Sequence, residues 1–199
     1  MEDDEADFLL AFARKAGRSC HDQHPNVART VMKPIVLIAA MDAARAIGRG
    51  NDIPWHIPGE QKRFKELTMG KALIMGRMTY ASLPRPLPGR HCIVLSRSAT
   101  NDIPKIHSAA SVEEALSLAS GLPGSEIIIG GGQQVYELFL PLADRIHLTV
   151  LDATFGGDRH FPPISDDEFA ISESEQVDGP VPYKCLTFVR RAGFQHSPC

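Results

Sequence analysis

No apolar stretch in the 199 residues approaches the roughly 18–20 consecutive residues that a membrane-spanning helix needs, which excludes a helical membrane protein. There is no basic surplus either: 21 Lys and Arg face 24 Asp and Glu, for a net charge of −3. That argues against a dedicated DNA or RNA binder, which needs positive charge to hold the phosphate backbone. The four cysteines (Cys20, Cys92, Cys185, Cys199) are scattered and form no Cys-x-x-Cys pair. Such spacing fits free thiols and neither a disulfide framework nor a zinc site. His21 and His24 lie at helical spacing, but no third ligand is near them, so no metal is expected. Internal repeats and low-complexity segments are also lacking.

What is present is ample material for one core, with 43% hydrophobic residues. Charge is placed unevenly. Residues 1–32 carry six acids and four bases, and five of the first seven residues are acidic. A secretory or mitochondrial leader would begin basic, so a cytoplasmic protein is expected. Residues 8–12 could form one helical turn, too short to persist alone.

From Pro34 onward, apolar runs of strand length alternate with helical patterns. Residues 35–40 (IVLIAA), 72–75 (ALIM), 92–95 (CIVL) and 126–129 (EIII) read as strands, the continuous apolar ones buried on both faces. Helices are predicted over 59–67, over 77–83 (stopped by Pro84), over 112–119 and over 134–139. The third of these opens on a capping box, Ser111-Val112-Glu113-Glu114, and ends at Gly121. Residues 145–151 alternate as a strand. Residues 169–174 and 184–190 alternate without a helix between them, as an antiparallel hairpin does. The pattern predicts an α/β fold with a mostly parallel sheet and an antiparallel C-terminal edge. Ligands in such folds bind at the carboxyl ends of the strands.

Three segments at those ends carry candidate chemistry. Gly130-Gly131-Gly132-Gln133-Gln134-Val135-Tyr136 joins a strand to a helix. Glycines there let a backbone approach a pyrophosphate, yet they equally suit a tight turn, and the motif alone does not separate the two. Gly76-Arg77-Met78-Thr79 and Leu95-Ser96-Arg97 follow two successive strands. Two such ends bearing guanidinium and hydroxyl groups suggest a phosphate-rich ligand, whereas either arginine alone would read as a solvated loop residue. Third, the single tryptophan, Trp55, stands in Ile53-Pro54-Trp55-His56-Ile57-Pro58-Gly59-Glu60. Glu60 enters a helix with Phe64 one turn on, so it is either an acid in an apolar pocket, with its pKa pushed up by desolvation, or a plain first-turn surface residue.

Taken in order, Ile53-Pro54-Trp55 to Pro58-Gly59-Glu60, Ile74-Met75-Gly76-Arg77-x-Thr79, Arg85-Pro86-Leu87-Pro88-Gly89-Arg90, Leu95-Ser96-Arg97, Ile129-Gly130-Gly131-Gly132, Thr149, Gly157-Asp158 and His160-Phe161-Pro162 resemble the dihydrofolate reductase family over about residues 33–191. The resemblance implies an eight-stranded sheet with flanking helices and hydride transfer from NADPH to dihydrofolate. It places residues 1–32 as an extension, with Met32 a plausible start, and 192–199 as a tail. By position it implies that Glu60 binds the pterin, that Thr149 backs this carboxylate and that Trp55 holds a water and closes the pocket. Ile38, Ala39, Gln61, Phe64, Leu83, Leu87 and Arg90 would complete the substrate site, Arg90 clamping a carboxylate.

The cofactor would take Ala40, Ile47, Gly76, Arg77, Met78, Thr79, Leu95, Ser96, Arg97 and 130–136, with residues 42–52 as a mobile lid. The implied partners are dihydrofolate and antifolates, and the implied state is a monomer. Gln61, Gly130, Tyr80 and His147 depart from common members. The run Gly59-Glu60-Gln61 resembles the mobile-element reductases associated with trimethoprim insensitivity, and Gln61 and Gly130 would loosen the apolar grip on that inhibitor. A riboflavin-pathway pyrimidine reductase of the same fold lacks the Pro-Trp-x-x-Pro-Gly-Glu element, and a non-catalytic folate- or nucleotide-binding module would not need every site position filled.

Overall fold

The computed structural model describes residues 33–57, 59–83, 87–97 and 106–193. The 1–32 extension with its histidine pair and Met32, Pro58, residues 84–86, Cys20, Cys199 and the tail from 194 lie outside the described residues.

Among the described residues, one sheet has eight strands in the order β5-β4-β3-β6-β1-β7-β10-β9. The strands are β1 (Ile35–Met41), β3 (Ala72–Gly76), β4 (His91–Leu95), β5 (His107–Ala109), β6 (Ile127–Ile129), β7 (Arg145–Leu151), β9 (Phe169–Val177) and β10 (Tyr183–Arg190). β2 (Ala46–Gly48) and β8 (Arg159–His160) pair separately with each other. The helices are α1 (Glu60–Thr68), α2 (Arg77–Ala81), α3 (Val112–Gly121) and α4 (Gln133–Phe139), followed by a 3₁₀ turn, Leu140–Leu142.

The four apolar runs form the centre of the sheet because each strand has neighbours on both edges and cover on both faces. Val36, Leu37, Leu73, Ile74, Ile93 and all of β6 are buried. Neighbours from β5 through β7 pair in parallel. β10 alone runs against them, since it returns between β7 and β9 and pairs antiparallel with both. The predicted hairpin is therefore present, with β9 longer than expected because its outer half is exposed and lacks an apolar pattern. The short strands β2, β5 and β8 were not legible in the sequence, because two or three residues are too few to express a period.

The capping box of α3 forms with one change. Ser111 Oγ accepts the Glu114 N–H at 3.1 Å, but Glu114 Oε2 accepts from Ala110, one residue before the cap, at 2.8 Å. At the amino ends of β3, β6 and β7, Glu126 receives Lys71 Nζ at 2.7 Å and Arg145 Nη1 at 2.9 Å, which ties three strands together.

Arg190, the last residue of β10, anchors the far end. Its Nε donates to Ala143 O at 2.7 Å and Nη2 to Leu140 O at 2.8 Å. Nη1 meets Glu168 at 2.9 Å, and the guanidinium lies 4.5 Å over the Phe169 ring. Removing it leaves carbonyls and a carboxylate without their charged donor, so Arg190→Ala is expected to cost about 3 kcal/mol. That corresponds to a fall of roughly 6–12 °C in thermal midpoint, readable by calorimetry. A midpoint within a degree of wild type would contradict the assignment of Arg190 as an anchor.

Candidate active site

The parallel strands bring their carboxyl ends, and the predicted site residues, to one side of the sheet. Glu60 is the first residue of α1, turned inward by Gly59 at φ 92°. A β-carbon at Gly59 would in addition stand 3.5 Å from Tyr183 Oη. Burial raises the Glu60 carboxyl above its ordinary value, which selects the pocket reading over the surface one. Tyr136 is buried and its phenol is pushed far up, by burial first and by Glu60 second. Tyr136 Oη donates to Ile38 O at 2.7 Å. The Cys185 thiol, raised by burial, feels the Glu60 charge too, as does Tyr183.

Thr149 is buried on β7, in register with Ala40 on β1 and Cys185 on β10. Its hydroxyl opposes, in small part, the effect of burial on the Cys185 thiol. Cys185 and Tyr183 thus lie within reach of the Glu60 charge, and sequence reasoning did not name them. They lie more than a hundred residues after Glu60, and only the β7–β10 pairing carries them there.

Ile38 belongs to a buried cluster with Val36, Leu73, Met75, Cys92 and Ile128, and Phe64, Leu67, Tyr80, Leu83 and Leu87 pack against it. The predicted apolar wall of the substrate site is therefore assembled in one place, next to buried Ala39. Gln61 is exposed beside Glu60. Arg90 donates to Pro88 O at 2.8 Å through Nη1, while its buried Nε has no partner.

The glycine turn is drawn against the Gly76 motif by two backbone bonds: Gly130 N–H to Ile74 O at 2.8 Å and Gly76 N–H to Gly131 O at 2.7 Å. The tight-turn explanation of the glycines is met by packing. Gly131 sits at φ 94°, and a β-carbon there would lie 2.7 Å from the Tyr136 ring; one at Gly132 would lie 2.9 Å from Thr79 Oγ1, and one at Gly130 2.9 Å from Leu73. Packing demands the tight turn. Gly76 is paired with Leu95 across β3 and β4, which places the exposed Arg77 and Arg97 at the ends of adjacent strands. Met78 is exposed, Thr79, Ser96 and Gln134 are half-buried, and Val135 is buried.

Ile47 is half-buried in β2, within the expected lid. Asp42, fully buried, starts that segment: Oδ1 accepts Ala44 and Ala46 N–H at 2.9 and 2.8 Å, and Oδ2 accepts Phe155 N–H at 2.9 Å. Burial raises its pKa, but these donors outweigh burial and hold the carboxyl below its ordinary value. Asp158 Oδ1 accepts Gly50 N–H at 2.9 Å, and Trp55 packs on Phe155 with ring centroids 5.5 Å apart. The Gly157-Asp158 and His160-Phe161-Pro162 motifs thus bond to the 42–52 segment, a role no local pattern announced. Among the described residues, no three His, Cys, Asp or Glu side chains gather where a metal could bind, and no helix is long and apolar enough to cross a membrane.

Residues 34–190 match the family model described as dihydrofolate reductase. The chain belongs to the dihydrofolate reductase family. It is 42% identical over 159 residues to dihydrofolate reductase type A13 of Escherichia coli, covering 80% of this chain and 96% of that protein. It is 38% identical over 161 residues to the dihydrofolate reductase of Bacillus subtilis, covering 79% and 95%. Type 3 of Salmonella typhimurium is 44% identical over 128 residues, covering 64% and 78%. Among solved structures, dihydrofolate reductase from Enterococcus faecalis, complexed with NADP(H) and RAB-propyl, superposes with a TM-score of 0.75 at 32% identity, covering 80% of this chain and 98% of that one. The type A13 and type 3 relatives support the resemblance to reductases of that type.

Proposed function

We propose that this dihydrofolate reductase converts 7,8-dihydrofolate to 5,6,7,8-tetrahydrofolate with NADPH, and that the half-buried, desolvated Glu60 carboxyl is the observation on which the reading stands. One acid in an apolar pocket suits a heterocycle with ring N–H and amine donors, because the pair is charge-assisted and shielded from water. NADPH supplies the hydride. The residues at the strand ends fit such a cofactor: bare backbone at Gly131 and Gly132 for a pyrophosphate, Arg77 and Arg97 with Thr79 and Ser96 for phosphates, and Ala40 and Ile47 for the nicotinamide.

Ile38, Phe64, Leu83 and Leu87 offer an apolar wall for the folate rings, and the unpartnered Arg90 Nε leaves a donor for its carboxylate. Gln61 and the Gln133–Tyr136 segment border these two regions. The protein's contribution is placement and exclusion of water, by the pocket around Glu60 and the 42–52 lid, which Trp55 follows. Glu60 polarises the ring while water is the direct proton donor, and Thr149 steadies the acid's side of the pocket.

Oxidation of NADPH with dihydrofolate, followed by absorbance, tests the reading. Turnover of a ribosylated pyrimidine instead, or binding without turnover, would overturn it.

The reading extends to poor trimethoprim binding. Its support is that Gln61 presents an amide beside Glu60; a β-carbon at Gly130 would meet the buried Leu73 at 2.9 Å, so the missing side chain there opens no space. Gln61→Leu is expected to tighten the trimethoprim inhibition constant about tenfold by restoring apolar contact. An unchanged constant would remove Gln61 from the explanation.

A further inference from the structure

The lid and the glycine turn are joined by a side chain that neither segment needs for itself. Backbone bonds hold the lid to residues 153–161: Ala43 N–H to Ala153 O at 2.9 Å, Asp158 N–H to Gly48 O at 3.1 Å and Phe161 N–H to Arg45 O at 2.9 Å. That segment meets the glycine turn through the Tyr136 and Phe161 rings, 4.9 Å apart, and through Gln133. Gln133 follows Gly132 directly and opens α4. Its Oε1 accepts the His160 N–H at 2.8 Å, and its Nε2 donates to Glu137 Oε1 at 2.9 Å. Because Glu137 takes the amide's donor end, the acceptor end is oriented at His160.

His160 lies in β8, in register with Ala46 of β2, and the Ala46 N–H is bonded to buried Asp42 at 2.8 Å. Hydrogen bonds and the backbone between them therefore link Gly132 to the base of the lid, through Gln133 to His160 and through the adjacent Phe161 N–H to Arg45 O at 2.9 Å. A ring contact tolerates sliding. An amide bonded at both ends does not, since a small shift of either end lengthens or bends a hydrogen bond.

We propose that Gln133 is a positioning residue that couples occupation of the glycine turn to ordering of the 42–52 lid. The proposal rests on the cofactor reading given above. A ligand held against Gly131 and Gly132 restrains the start of α4, and the Gln133–His160 bond passes that restraint to β8 and β2. The effect is reciprocal: an ordered lid raises affinity at the turn by the same factor.

Amide hydrogen exchange by NMR on the full chain, with and without NADP⁺, tests this apart from turnover. In the wild type, NADP⁺ is expected to slow exchange at 131–133 and also at Gly50 and His160. Gln133→Leu keeps the volume and removes both bonds. Exchange at Gly50 and His160 should then rise about tenfold in the free protein, the worth of one hydrogen bond, with β6 amides unchanged. NADP⁺ should still protect 131–132 but no longer Gly50. The double variant Q133E/E137Q keeps an acceptor for His160 and a donor–acceptor pair across the turn, so it should restore protection of Gly50.

Wild-type protection of Gly50 in Gln133→Leu would overturn the coupling, as would a double variant indistinguishable from Gln133→Leu. Absence of protection at 131–133 in the wild type would instead remove the cofactor reading itself, and the coupling with it.

Discussion

Glu60→Gln is expected to reduce turnover at neutral pH by about a hundred- to a thousandfold while NADPH still binds, because it removes the acid proposed to engage the pterin. Stopped-flow turnover alongside fluorescence titration of the cofactor separates the two effects. The substitution should also raise the thermal midpoint. Burial lifts the Glu60 pKa in the folded state, so the neutral form is the one the fold prefers. As pH climbs from the ordinary carboxylate value through this raised one, the folded wild type must carry a desolvated charge and loses stability. Glutamine carries none.

The variant should therefore be the more stable at neutral pH, by about 2–4 °C for each kcal/mol relieved. The gain should vanish below the ordinary carboxylate value, where Glu60 is neutral folded or unfolded. Wild-type turnover, or a midpoint no higher than wild type at neutral pH, would each remove one half of the assignment.

Gly131→Ala is expected to be strongly damaging for a change of one carbon. At φ 94° an L side chain costs about 1–2 kcal/mol. The added carbon would also stand 2.7 Å from the Tyr136 ring, which cannot retreat: its hydroxyl is bonded to Ile38 O and its face rests on Phe161. Overpacking of this kind adds about 1–3 kcal/mol. A total of about 3 kcal/mol or more should appear as a lowered thermal midpoint, together with at least a tenfold loss of NADP⁺ affinity. Gly121→Ala is the control: it ends α3 with open space around it and should be neutral or slightly stabilising. A Gly131→Ala protein with wild-type midpoint and cofactor affinity would show that neither packing nor bare backbone requires glycine there.

Both predictions start from residues visible in the sequence, and their force comes from neighbours that were not. Glu60 stood out beside Trp55 and Phe64, but its being a pocket acid required Tyr136, Tyr183 and Cys185, brought from α4 and β10. The glycine turn stood out as well, yet only the pairing of β3 with β6 sets Gly76 against Gly131.

The amino-acid sequence alone determined the elements with a strong period or a continuous apolar run: the central strands, the four helices and the C-terminal hairpin, with the motifs at their ends. Those signals are local, since burial on both faces needs only a run of apolar side chains and a helix only its stripe. Tertiary structure decided the rest. The two- and three-residue strands β2, β5 and β8 exist because a partner offers hydrogen bonds, not because they carry a pattern. Asp42, Asp158 and Gln133 gain their roles from segments roughly 30 to 110 residues away, and no local spacing encodes which distant backbone N–H an acceptor will meet.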